Sequence, residues 1–324
     1  MNYSFISKLL HRVALKYNCL KQMQIDFNNL SIANAEPDML VYVSGLARSG
    51  TTKVMNELYN TGSFYTLTYA HFPFVLMPRF WKINSKTEAF KHRPHGDNIY
   101  VNSKSPEAFE EVLWQTLLPA AYAHSFLPEQ KISKAMRNTY FQYLNSFNKE
   151  SKFYLTKNNN LILRLASFKE KVKNAKYIFL FRDPISHANS LLRMHQRFTI
   201  MQQEEDFVLE YMNYIGHYEF GLSHKPFFKK SGSHYDKHTI NYWLYIWNTY
   251  YTHLLEIAPP NALYLSFENL TRFPNESLCQ ISDFIGLETR FENLKPYINF
   301  SPSMHVELPN EIAQTYERLL SLQK

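Results

Sequence analysis

Cysteine is nearly absent from this chain: Cys19 and Cys279 are its only two, far apart and outside any metal-type spacing. That excludes a disulfide scaffold and a cysteine-built metal centre, and it points to a reducing compartment such as the cytoplasm. Long apolar runs are missing as well, so no segment is suited to cross a bilayer. The first residues also lack the uninterrupted apolar core and small-residue cleavage site of a signal peptide. No basic run marks a nucleic-acid arm, although the formal charge is +7 and the pI near 9.1. Scattered cations of this kind suit an anionic small ligand. Aromatics make up 16% of residues; with no RNA-binding signature beside them they read as core. Internal repeats and interdomain linkers are lacking too, which leaves one body over residues 37–324 behind an N-terminal extension, residues 1–36.

That extension has one patterned stretch. Residues 1–26 read as an amphipathic helix, apolar at Ile6, Leu9, Val13, Tyr17 and Leu20, with Lys8, Arg12 and Lys16 along a neighbouring face. Such a helix can lie peripherally on a membrane or dock on its own domain, and the second use is the commoner.

The chemistry concentrates in Gly45-Leu46-Ala47-Arg48-Ser49-Gly50-Thr51-Thr52. It follows the apolar run Met39 to Val43, which reads as a buried parallel strand, and leads into a helical stripe at Val54, Met55, Leu58 and Tyr59. Glycines let a backbone curl closely round an anion, and the free amides and dipole of the helix start favour negative charge. The spacing matches a nucleoside-triphosphate loop except that its lysine position holds Thr51, which argues against ATP or GTP. The cation is Arg48, inside the loop.

Further strands are expected at 64–69, 153–156, 177–181 and 262–266, alternating with helices. The expected fold is α/β, a three-layer P-loop-like architecture with a mostly parallel central sheet flanked by helices and ligands at the carboxyl ends of the strands. Ser105-Pro106-Glu107 is expected to open a helix as cap, first residue and first-turn acid. Asp183-Pro184 opens another directly after Arg182. The apolar stripe of that second helix leaves Ser190, eight residues beyond Arg182, off the core.

Strand, Arg-Ser-Gly-Thr-Thr loop and helix together resemble the 5'-phosphosulfate loop of sulfotransferases that use 3'-phosphoadenosine 5'-phosphosulfate (PAPS). Arg182 with Ser190 is similar to the pair that holds the 3'-phosphate in that family, and Tyr264 to Leu270 resembles its tyrosine-glutamate-aspartate-leucine strand. The resemblance covers nearly all of Met39 to Gly286. Arg48 stands where the phenol and steroid branch has lysine, which points to bacterial-type branches that sulfate carbohydrates or glycolipids. Phe267 holds the tyrosine position of the late strand, and the glycine-rich segment that closes over adenosine is absent.

What this implies is transfer of a sulfuryl group from PAPS to an acceptor hydroxyl, without a metal, leaving adenosine 3',5'-bisphosphate. Arg48, Ser49, Gly50, Thr51 and Thr52 would hold the 5'-phosphate, Arg182 and Ser190 the 3'-phosphate, and Lys157 would assist from a strand end. For the base that takes the acceptor proton, His71 comes first, at the end of the strand after the loop helix; His95 and Asp97, in a polar segment, come next. Two other readings stand beside this one. One is a magnesium-dependent phosphotransferase in which Asp183 ends a metal-binding strand. The other is a non-catalytic nucleotide-binding protein that uses its first helix as a contact.

Overall fold

Alternation of side chains in β1 (Leu40–Ser44) decides the centre of the molecule. Leu40 and Tyr42 point to one face of the sheet, Val41 and Val43 to the other, and all five residues are buried. The structure, a computed structural model, describes residues 4–82, 91–92, 100–148, 152–228, 235–296 and 307–323. The main sheet adds β2 (Phe64–Tyr65), β5 (Phe153–Lys157), β6 (Ala175–Phe181) and β7 (Leu263–Ser266). Its order is β2-β5-β1-β6-β7, with every neighbouring pair parallel. The sheet is thus wholly parallel. A separate two-stranded antiparallel ribbon pairs β3 (Lys91–His92) with β4 (Tyr100–Val101).

Helices cover both faces, as parallel strands buried on two sides require. In chain order they are α1 (Phe5–Leu15), α2 (Asn18–Asn28), α3 (Thr51–Asn60), α4 (Glu111–Leu117), α5 (Lys134–Phe147) and α6 (Leu165–Lys171). They continue as α7 (Pro184–Glu204), α8 (Asp206–Tyr214), α9 (Ile240–Ile257), α10 (Phe267–Arg272), α11 (Pro274–Ile285) and α12 (Asn310–Ser321). Val41, Val43, Ile178 and Leu180 pack with Val54 and Leu58 of α3 and Leu278 and Ile281 of α11. On the opposite face Tyr42, Tyr177 and Phe179 meet Trp114, Phe168, Trp247 and Tyr250. Each such side chain contributes about 1.5–3 kcal/mol by leaving water.

Local chemistry explains three departures from the sequence reading. The single N-terminal helix is two, because Tyr17 is extended and restarts the chain as the cap residue of α2. The predicted strand over 64–69 stops at Tyr65, and Tyr69–His71 turn into a short 3-10 helix. The Ser105-Pro106-Glu107 start does not form a helix. Pro106 bridges to Thr68 and the Ser105 carbonyl accepts from the Tyr69 amide at 3.2 Å, so the segment stays extended and α4 begins at Glu111.

Ala14, Leu15 and Ile25 bury the α1–α2 hairpin in the main core. Lys8 Nζ lies 2.7 Å from Glu205 Oε1, and Arg12 donates to both carboxylate oxygens of Glu210 at 2.8 and 2.9 Å. Among the described residues no helix is long and apolar enough to cross a membrane.

Candidate functional site

Because the strands are parallel, the carboxyl ends of β1, β5, β6 and β7 share one edge, and the phosphate-type loop leaves β1 there. Gly45 (φ +153°) is needed for close approach: a Cβ would fall 2.3 Å from the Leu180 carbonyl oxygen. Gly50 (φ +98°) caps α3 in the left-handed region. Between them Arg48 also sits at positive φ, +74°, a conformation that costs a non-glycine residue on the order of 1–3 kcal/mol. The loop is held from behind. His187 of α7 is fully buried and its Nε2–H donates to the Ala47 carbonyl at 2.7 Å. Burial drives its pKa down to about 3 against that bond, so the ring is neutral.

Arg182 follows β6. Its guanidinium carbon stands 4.4 Å from the Phe267 ring centroid, and its Nε is buried with no partner among the described residues. Burial lowers its pKa, opposed by Glu268 and reinforced by Arg48 and Arg193. Asp183 is committed elsewhere, accepting from the Ser186 amide at 2.8 Å as the cap of α7. Ser190 is buried rather than on an open face, because that side of α7 meets the loop: Arg48 Nε approaches Ser190 Oγ at 3.5 Å, the outer limit of a hydrogen bond.

A third cation closes the group. Lys157, the last residue of β5, is 6% exposed and donates to Thr52 Oγ1 at 3.1 Å. Behind it, at 3.8 Å, is Glu107 Oε1. Glu107 is fixed by the Tyr69 hydroxyl at 2.8 Å and the Ala108 amide at 2.9 Å. Arg48, Lys157 and Arg182 all line one cavity of ≈ 430 Å³, with Gly50, Thr51 and Thr52 at its floor. Its far wall is apolar at Met194, Phe198, Met212 and Phe220, and polar at Asn159, His217 and Glu219. Glu219 is nearly buried and accepts from Asn159 Nδ2 at 3.3 Å.

Most of the residues singled out from sequence thus meet, with Ser49 and Ser190 buried just behind the lining. His71 does not. It is absent from the cavity wall and 4% exposed, and its Nδ1 accepts from the Thr68 amide at 3.0 Å. Burial drives it down to about 4. The ring caps a 3-10 turn and stands apart from the cavity lining, so the structure does not bring this expected base together with the cations. His95 and Asp97 lie outside the described residues. Sequence reasoning missed His217 and Glu219, which come from the segment between α8 and α9. The signal was a histidine directly after Gly216 and an acid three residues after it, where Gly216, at φ +71°, turns the chain.

Residues 41–223 of this chain match the sulfotransferase family. The chain belongs to that family. Among curated proteins none matches. Three solved sulfotransferases are similar in structure. STF9 from Mycobacterium avium is 12% identical with a TM-score of 0.50, over 94% of this chain and 74% of that one. STF1 from Mycobacterium tuberculosis H37Rv is 12% identical with a TM-score of 0.48, over 97% and 80%. The sulfotransferase from Alicyclobacillus acidocaldarius is 15% identical with a TM-score of 0.40, over 89% and 96%. The chemistry of this sulfotransferase is accordingly sulfuryl transfer, on an α/β fold of the kind STF9 shows.

Proposed function

We propose that the protein transfers the sulfuryl group of PAPS to a hydroxyl on a carbohydrate or glycolipid acceptor. The observation that carries this is the convergence of Arg48, Lys157 and Arg182, from three different strand ends, on one cavity. The residues fit the donor. Arg182 keeps a buried Nε–H without a partner among the described residues, and the first amides of α3 are helix-start donors, the two features an anion at each end needs. When bound, PAPS supplies the sulfuryl group and leaves as adenosine 3',5'-bisphosphate.

Arg48 and the amides of Gly50 to Thr52 stabilise charge at the 5'-phosphate, as preorganised donors do. Arg182 and Ser190 hold the 3'-phosphate, where a planar guanidinium and a hydroxyl suit a monoester. Lys157, kept in place by Glu107 and Thr52, offers its ammonium to the oxygen that leaves sulfur. Glu219 takes the acceptor proton. It is tied by Asn159 to a position two residues beyond Lys157, whereas His217 is only half-buried. The mixed wall, apolar at Phe198 and Phe220 and polar at Glu219, suits an amphipathic hydroxyl compound. The two distant cysteines suit a cytoplasmic setting.

Calorimetric titration with adenosine 3',5'-bisphosphate in EDTA tests the donor site. Binding is expected in the micromolar range for wild type and about a hundredfold weaker for Arg182→Ala. No binding to wild type would remove the PAPS reading, and titration with ATP and magnesium would follow. For the base, Glu219→Gln should lower turnover about a hundredfold or more with bisphosphate affinity unchanged. An unaltered rate would eliminate Glu219 and pass the role to His217.

A further inference from the structure

Helix α1 is apolar on two sides. One of them is buried in the core and the other faces out. With 3.6 residues per turn, Phe5, Ile6, Leu9, Leu10 and Val13 share an arc of about 140°. On that arc Phe5 is 78% exposed, Ile6 69%, Leu9 49% and Val13 48%. The opposite side carries His11, Ala14 and Leu15, all buried. Lys8 and Arg12 turn to Glu205 and Glu210 at the edge between, so ion pairs fix the helix in this orientation. The pattern continues into α2 and beyond, where Met23, Phe27 and Leu30 are exposed and the Phe27 ring packs tilted against exposed Phe80, centroids 4.6 Å apart.

We propose that the α1–α2 hairpin is a docking edge for an anionic phospholipid bilayer. Exposed apolar surface of this extent marks an interaction site. Two features select a bilayer. The ridge is a single convex helix with long, freely projecting side chains, which an interface accepts without a matching groove. Within residues 1–25 the charge has one sign, Lys8, Arg12, Lys16 and Lys21 with no acid, and the carboxylates that flank the helix, Glu205 and Glu210, are neutralised by Lys8 and Arg12. Lys8 and Arg12 are paired, and Lys21 is buried, which pulls its pKa to about 8. Lys16 is exposed at the end of the ridge, 5.5 Å from the ring of Tyr17, and Arg79 lies over Phe80 at 5.0 Å. Such cations with apolar stems snorkel to headgroups.

The inference does not depend on the sulfuryl-transfer reading, and its test needs neither donor nor acceptor. Full-length protein is sedimented with vesicles of phosphatidylcholine alone or with added phosphatidylglycerol. Wild type is expected to pellet with the anionic vesicles, more weakly at high salt. Ile6→Glu/Val13→Glu, both at exposed positions, should bind at least about a hundredfold more weakly with an unchanged circular dichroism spectrum. Lys16→Glu should lose the preference for phosphatidylglycerol. Equal binding by wild type and the double variant would overturn the proposal, as would binding by neither. So would a vesicle-free dimer in light scattering that the double variant abolishes, since the face would then belong to a second copy.

Discussion

Shifting the solution from pH 7 to pH 5 should remove about 2 kcal/mol of folding stability for each of His71, His187 and His195. All three are buried, at 4%, 0% and 0% exposure. Burial sets their folded pKa values at about 4, about 3 and about 4, below the 6.5 of an exposed ring. The folded protein keeps them neutral, while the unfolded chain takes up a proton on each below 6.5. Their contribution is therefore complete above that pH and is lost as pH falls toward 4, at about 1.4 kcal/mol per unit for each ring. Around His187 and His195 the bonding among the described residues offers no acceptor for an added proton, since His187 Nδ1 is buried without a partner. His195 Nδ1 already accepts from the Gly221 amide at 3.1 Å, and its Nε2 is buried without a partner among the described residues. Glu268, raised by burial, works in the opposite direction and offsets part of the loss. Three rings together still approach the whole stability of a typical domain, about 5–15 kcal/mol. Urea unfolding at pH 7, 6 and 5 should show a steeply falling midpoint. A flat profile would mean that water reaches these rings.

Replacing Arg164 by methionine should cost about 3–5 kcal/mol. The guanidinium is fully buried; its Nη2 bonds Glu111, its Nη1 donates to Gln130 at 2.8 Å, and its plane lies over Trp114 at 4.8 Å. Burial alone would raise the Glu111 carboxyl, yet Arg164, the Tyr122 hydroxyl and Asn158 outweigh it and hold it below its usual value. Removing the cation strands a buried carboxylate, which is why one partner alone is so costly. Arg164→Met/Glu111→Leu should recover part of the loss, because no buried charge is then left unpaired, although Gln130, Tyr122 and Asn158 each lose a polar partner. Comparing denaturant midpoints of the single and double variants decides the matter: a single-variant loss below about 1 kcal/mol would mean the pair is hydrated. The network also abuts the site, since Glu111 accepts from Asn158 at 3.0 Å and packs against Gly216, three residues before Glu219.

Much of this was legible beforehand for definite reasons. The run into Gly45 and the Asp183-Pro184 start announce themselves locally, through strand apolarity, glycine and capping chemistry, and both stand where expected. The placement of Arg48 and Arg182 on one cavity follows from those boundaries. Glu219 and His217 could not be read the same way, because only the packing of α8 and α9 returns their segment to the end of β5. Glu107 illustrates the opposite error. Its serine-proline start has the right helix signals, but a bridge to Thr68 outcompetes them, and the acid expected at a helix dipole instead stands behind Lys157. His71, expected as base from its place after a strand, is found capping a 3-10 turn, a use that its position in the sequence does not announce.

The cationic part of the cavity comes from the strand ends and the loop after β1, whereas His217, Glu219 and Phe220 come from the turn after α8. On the proposed reading this separates what the enzyme consumes from what it makes. Changes confined to that turn can alter the product while every phosphate contact stays intact, so a lineage can diversify its sulfated compounds and keep drawing on one shared donor pool.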